Sequence, residues 1–275
     1  MGRFLRLFTA RYKEAFMNSA RNENAPTPVV VHVPHASIFV PEEMRRCFKT
    51  PDFGAERLRM TDWYCDELFD SGHAMAVFPI SRLACDAERF RDDGNEPMAA
   101  VGMGAVYTGM SDGSALREVT AGEREAILRR FYDPHHAELA GLVGERLRRF
   151  GCCVIIDGHS FHPAPLPYEA DQSPDRPDVC IGTDRFHTPP ALADAAAEFF
   201  RAAGYSVGFN RPFAGALVPA QYFNKDLRVR AVMVELNRRL YMDENAGKTD
   251  GFESIKTLLG QFSDTLALSA ENGRI

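Results

Sequence analysis

The sequence predicts an α/β protein: a single domain with a mostly parallel mixed sheet flanked by helices. Short β-branched runs alternate with longer helical stretches through the body, the pattern of a sheet wrapped by crossover helices. No internal repeat and no Pro/Gly-rich linker divides residues 29–268. With 275 residues, 45% of them hydrophobic and 25% charged, the chain has ordinary globular composition and can bury a core without disulfides.

The elements follow in order. Val29–Val33, ended by Pro34, reads as a buried strand, and a helix is expected from Pro41, a residue suited to the first helical turn. A second helix is expected over Asp62–Ser71, with strand pieces at Ala74–Ile80 and Arg82–Cys85. Residues 91–119 hold no sustained period and read as a long loop. Thr120 and Glu123 have capping-box spacing, so a helix starts there and runs toward Phe150 with a break near Pro134. Cys152–Ile156 is the next buried strand, followed by a proline-rich loop from Phe161 to Asp178. Strands at Val179–Ile181, Tyr205–Phe209 and Ala231–Leu236, and helices at Pro190–Ala203 and Gly251–Leu268, complete the body.

Residues 1–28 read as an N-terminal helix and linker ahead of a domain spanning 29–275. Phe4, Phe8, Tyr12 and Phe16 recur every fourth residue and share one helix face, a candidate contact with the body or with a second copy in a homo-oligomer. An organellar-type presequence and a membrane-surface helix are the competing readings. The net charge of −6 argues against a nucleic-acid partner, and no apolar run approaches the ~20 residues that span a bilayer. Six cysteines, at 47, 65, 85, 152, 153 and 180, have neither zinc-knuckle spacing nor a disulfide-framework pattern, so a reduced, cytoplasmic setting is expected.

Three buried-type strands carry polar residues at their carboxyl ends: Val33-Pro34-His35, Ile156-Asp157-Gly158-His159-Ser160, and Val234-Glu235-Leu236. Ligand sites of open α/β sheets lie at such ends. A hydrolytic zinc needs three nitrogen or oxygen ligands, an open position for water, and a carboxylate to take the water's proton. His35, Asp62 and His159 can supply the ligands and Glu235 the base, although Asp62 reads equally as a helix N-cap. Asp157 is placed to support His159, and His32 to be buried beneath the site. His135 and His136, beside Pro134, read as surface or cap residues, and His162 and His187 as loop residues that could line a pocket. Arg89 is the candidate for a substrate carboxylate, since a guanidinium fork binds one bidentately. Arg211, on a loop after a strand, is a candidate to polarise the scissile carbonyl. Ser160 lacks the second glycine of a nucleophile elbow.

Seven segments in order resemble the N-formylglutamate amidohydrolase family: Pro34-His35-Ala36-Ser37, Thr61-Asp62-Trp63, Ser81-Arg82 through Arg89, Asp157-Gly158-His159-Ser160, Ile181-Gly182-Thr183, Asn210-Arg211 through Gly215, and Glu235-Leu236 through Tyr241-Met242. The resemblance covers about residues 29–245. It implies a zinc-carboxypeptidase-like α/β fold and one zinc ion on His35, Asp62 and His159. Glu235 and Arg211 would be catalytic, and Arg82, Glu88, Arg89 and Tyr241 substrate-binding. The implied reaction is hydrolysis of N-formyl-L-glutamate to formate and glutamate, a step of histidine breakdown. Two departures bear on the substrate. Glu88 stands where the family has Asn, and Val218-Pro219-Ala220-Gln221 where it tends to have Thr-Arg-His. An ionised Glu accepts hydrogen bonds but cannot donate one to a substrate carboxylate. A less anionic or cationic substrate is therefore expected to be favoured; for a dianionic one, Glu88 must be protonated, turn away, or be neutralised by Arg89 or Arg91. The alternatives are the same chemistry on another N-acyl amino acid or a short peptide, and a non-catalytic binding relative.

Overall fold

The computed structural model describes residues 26–49 and 53–275; the N-terminal aromatic stripe lies outside them. Strands β1 (Val29–Val33), β2 (Ala74–Val77), β3 (Cys153–Phe161), β4 (Val179–Gly182), β5 (Val207–Phe209) and β6 (Val229–Asn237) form one sheet in the order β2-β1-β3-β6-β4-β5. Every neighbouring pair is parallel except β4 and β6, which run antiparallel, so the mixed, mostly parallel sheet expected from the sequence is the one observed.

The helices are α1 (Glu42–Arg45), α2 (Phe53–Met60), α3 (Cys65–Leu68), α4 (Ala121–Ile127), α5 (Asp133–Phe150), α6 (Pro190–Ala202) and α7 (Gly251–Glu271). Thr120 caps α4 through the expected reciprocal box with Glu123. A π-helical turn at Leu128–Tyr132 joins α4 to α5, so the break falls just before Pro134. Among the described residues no helix is long and apolar enough to cross a membrane.

Several local expectations are corrected. Arg82–Cys85 forms turns rather than a strand, because Arg82 and Asp86 fold onto each other as a buried ion pair. The helix expected over Asp62–Ser71 is cut to the four residues of α3, behind Tyr64 in the left-handed conformation. Helix α2, which the sequence reading leaves out, buries only Glu56 and Met60 along its length. Strand β3 does not stop at Ile156 but carries its pleat through Phe161, so Asp157 and His159 lie within the strand.

That extension positions the site. Side chains of a strand alternate between faces, and partners in adjacent strands share a face. On one face, Val154 and Ile156 of β3 join Val232, Val234 and Leu236 of β6 in the core packed by α6 and α7. On the other, Cys153 and Ile155 pack with Val30, Ala231 and α5 residues Leu139 and Val143. Going up the strands, this second face turns polar: His32 pairs in register with Asp157, and His159 with Glu235. Gly158, between the two polar residues, faces the first core, where Phe69 leaves no room for a side chain. A Cβ there would lie 2.8 Å from the Phe69 ring. We expect Gly158→Ala to lower stability by about 1–3 kcal/mol, the usual cost of overpacking a filled core. The urea-denaturation midpoint reads it, and a parent-like midpoint would show that Phe69 yields freely.

Candidate active site

Three segments converge above the polar ends of β1, β3 and β6. A backbone hydrogen bond from Asp62 N–H to the His35 carbonyl, at 3.0 Å, ties the turn before α3 to the end of β1. His35, Asp62 and His159, each at most 3% exposed, thereby place one nitrogen or oxygen apiece within 4.8 Å of one another. Asp62 Oδ2 lies 3.5 Å from His35 Nδ1 and 3.2 Å from His159 Nδ1.

The far sides of these groups are equally defined. His35 Nε2 donates to Asp86 Oδ1 at 2.7 Å, so in the neutral tautomer that this bond favours Nδ1 is the nitrogen with the free lone pair. That Nδ1 has no hydrogen-bond partner, although it faces a carboxylate oxygen. Two acceptors aimed at one another in a buried site call for a cation between them. His159 Nε2 lies 3.2 Å from Asp157 Oδ1, and Asp157 is itself held by His32 Nδ1 at 2.8 Å. The other oxygen of Asp62 accepts from Arg238 Nη2 at 3.2 Å, so its two oxygens are divided between an arginine and the two histidines. Histidines oriented from behind by carboxylates are the usual supports of a metal centre, and the His/Asp/His donor set suits zinc.

Electrostatics agree with this geometry. Burial alone would raise the Asp62 carboxyl, but the imidazoles of His159 and His35 that face it hold it well below the usual range. Burial would also lower His159, yet Asp157, Asp62 and Glu88 outweigh it and raise the imidazole well above its ordinary value. The surroundings of His159 therefore favour positive charge at the centre of the site. Glu235 faces it from β6, 7% exposed, with Oε2 lacking a hydrogen-bond partner. Burial first, then Asp62, pushes Glu235 up to about 8, against the pull of His159.

These groups open into a cavity of about 120 Å³ that Arg59, Arg82, Glu88, Arg89, His162 and Glu235 help to line. Arg82 is engaged, donating to Asp86 and to the Tyr107 hydroxyl. Arg89 is the least committed: its Nε is buried without a hydrogen bond and stands 3.7 Å from Asp86. Glu88 is not neutralised by Arg89 or Arg91. Its Oε2 lies 3.7 Å from His159 Nε2 and 4.0 Å from His32 Nδ1, while Arg91 is bound to Glu125 and Asp133.

Two candidates fall elsewhere. Arg211 does not reach the cavity: about half exposed, it donates to Asp171 Oδ2, Ser173 Oγ and the Asp175 carbonyl, and so clasps the 161–178 loop. Tyr241 is fully buried against Phe252 and does not line the cavity. His135 is no surface residue either; buried on α5, it meets His32 Nε2 through its own Nε2 at 2.9 Å. His187 is a buried structural residue bonded to the Val229 carbonyl. Asp86 and Arg238 escape a strand-end search because Asp86 lies in a turn-rich segment and Arg238 opens the 3₁₀ turn Arg238–Leu240. Their signal is proximity along the chain: Asp86 lies three residues before Arg89, and Arg238 three after Glu235.

The support given by Asp86 is testable by itself. Asp86→Asn keeps the side chain's size and removes the charge behind His35. We expect zinc to bind about 10- to 100-fold more weakly, read by competition with a chelating dye. Parent-like affinity would mean that His35 needs no such support.

A profile of the N-formylglutamate amidohydrolase family matches residues 27–242. The chain is 28% identical, over 77% of its length and 83% of the relative's, to N-formylglutamate deformylase of Pseudomonas aeruginosa. Among solved structures, N-formylglutamate amidohydrolase from Ralstonia eutropha JMP134 superposes with a TM-score of 0.80 at 24% identity, covering 92% of this chain and 98% of the other. A gene product of Agrobacterium tumefaciens superposes with a TM-score of 0.65 at 20% identity, over 89% and 91% of the two chains. With the profile running from the residues just before β1 to the one after Tyr241, the chain belongs to the N-formylglutamate amidohydrolase family.

Proposed function

We propose that this amidohydrolase is zinc-dependent and cleaves the N-formyl bond of an N-formylated amino acid, with N-formyl-L-glutamate, the substrate named for its relatives, as the reference compound. One observation carries the reading. The lone pair of His35 Nδ1, His159 Nδ1 and Asp62 Oδ2 point at one another with carboxylates fixed behind both histidines, while the unpartnered carboxylate of Glu235 shares their cavity. Zinc held by His35, Asp62 and His159 supplies Lewis-acid polarisation of the formyl carbonyl and lowers the pKa of water toward ~7.

The chain's own groups do the rest. Glu235 takes the proton from the attacking water and delivers it to the leaving amine nitrogen, which turns a poor leaving group into a neutral amine. Its site is dry enough to keep its basicity above that of an ordinary carboxylate. Arg89 receives the substrate carboxylate with a guanidinium that no hydrogen bond at Nε ties down. Arg238 holds Asp62 in place through its contacts with Ser160 and the Arg59 carbonyl. We give Arg211 no step in this chemistry, since its donors are engaged by Asp171, Ser173 and the Asp175 carbonyl.

The test is release of glutamate from N-formyl-L-glutamate by zinc-loaded protein, with and without a chelator. Activity should vanish on chelation and return with zinc. Glu235→Gln should keep its zinc and lose about 10²- to 10⁴-fold in kcat. A Glu235→Gln protein that turned over like the parent would hand the base role to another group, and full activity in chelator would end the zinc assignment.

A further inference from the structure

The catalytic cavity has a larger neighbour. A second cavity, of about 720 Å³, shares Glu88, Arg89 and Ala214 with the first, whose volume is about 120 Å³. Its walls are largely apolar, with Phe90, Met98, Leu217 and Phe223 among them. Phe90 is 49% exposed there, and its ring meets Phe223 edge-on at 6.2 Å. A phenylalanine half open to solvent, beside a second ring and next to the reactive site, marks a surface built to be covered.

The charges of this cavity set what can cover it. Its one arginine besides Arg89 is Arg91, already bound to Asp133 and Glu125 at 2.7–3.1 Å. Asp92, Glu96, Asp133 and Asp184 line it as well. An anionic group entering here meets carboxylates and finds no uncommitted cation beyond Arg89. An uncharged apolar group gains burial against the rings and meets no such opposition.

Arg89 fixes which part of a substrate would enter. It stands on the wall common to both cavities, and in the proposed reaction it holds the carboxylate. The carbon bearing that carboxylate also bears the amino-acid side chain, so the side chain leaves Arg89 toward the second cavity while the formyl group lies by Asp62 and Glu235. We propose that the second cavity is a side-chain subsite for a bulky apolar residue, making N-formyl derivatives of apolar amino acids better substrates than N-formyl-L-glutamate. This rests on the hydrolytic reading above and adds the selectivity that the reading leaves open.

The experiment compares kcat/KM of the zinc-loaded full chain for N-formylglycine, N-formyl-L-phenylalanine, N-formyl-L-glutamate and Nα-formyl-L-lysine, read as released amino acid. One methylene in an apolar pocket is worth about 10- to 200-fold in kcat/KM. Phenylalanine should therefore exceed both glycine and glutamate by at least about tenfold. Ala220→Trp, which adds bulk at an exposed position of the cavity wall, and Phe90→Ala, which removes a wall, should each cut the phenylalanine-to-glycine ratio by at least about tenfold. Two variants of opposite kind guard against a change that only disturbs folding. Activity on glycine and glutamate without a gain for phenylalanine overturns the subsite and leaves the hydrolase reading intact, as does a ratio that neither variant moves. Preference for lysine over phenylalanine overturns it too, since the carboxylates would then be selecting. Release from none of the four compounds sinks the hydrolase reading and the subsite with it.

Discussion

The constraint on which this site depends is a cluster of buried carboxyl groups. Asp62, Asp86, Asp157 and Glu235 lie at most 7% exposed within one end of a sheet, and Glu88 stands beside them. Taking ionised carboxylates out of water costs several kcal/mol each unless cations or hydrogen bonds meet them. The chain answers with Arg82, Arg89 and Arg238 at the rim and two histidines at the centre. At the centre Asp157 and Asp62 outweigh the burial of His159 and raise its imidazole above the ordinary value, the mark of a position that favours positive charge.

The scaffold that tolerates this cluster is the sheet itself. Strands β3 and β6 face each other over nine register pairs, with polar pairs succeeding apolar ones along a single face. Because the pleat is continuous, the apolar half of each strand rigidly sets the direction of its catalytic half. Residues on turns complete the site and are in turn held by it: Asp62 by Arg238, Arg82 by Asp86, and the 161–178 loop by Arg211. Arg211 thus bears on the pocket without entering it, since the loop it clasps carries Leu166, Tyr168 and Glu169 to the cavity wall.

Much of this was legible in the sequence, for physical reasons that differ by residue. The strands announced themselves as β-branched runs, and the Thr120–Glu123 box marked a helix start to the residue. His35, His159 and Glu235 could be brought to one end because parallel strands share their carboxyl ends. Asp86 and His135 were not legible, because nothing local distinguishes a buried acid or histidine on a turn or helix end from an exposed one; only tertiary contacts bury them. Arg211 and Tyr241 mislead for the opposite reason. Both lie in segments that resemble the family, yet one segment turns outward to a loop and the other inward to the core. Order along the chain carries membership of a motif but not the direction in which a side chain points.

Asp86 shows how the two halves of the site are joined. Its Oδ1 accepts from His35, on the metal-binding side, while its Oδ2 accepts from Arg82 and the Tyr107 hydroxyl and faces Arg89, on the substrate side. Burial would raise this carboxyl, but His35 and Arg82 keep it well below the usual range, so it remains an anion throughout. A single fixed charge therefore sets the distance between Arg89, the proposed substrate anchor, and His35, a proposed metal ligand. Hydrolysis of a small N-acyl amino acid needs that distance held, because carboxylate and scissile carbonyl are only a few bonds apart and a misplacement of ~1 Å can cost ~10²-fold. Glu88, next in line but one, turns toward His159 rather than toward Arg89, and burial, with Asp157 beside it, raises its carboxyl above the ordinary value. The substitution that looked hostile to an anion in the sequence thus faces the centre, and Arg89 is left without it as a partner.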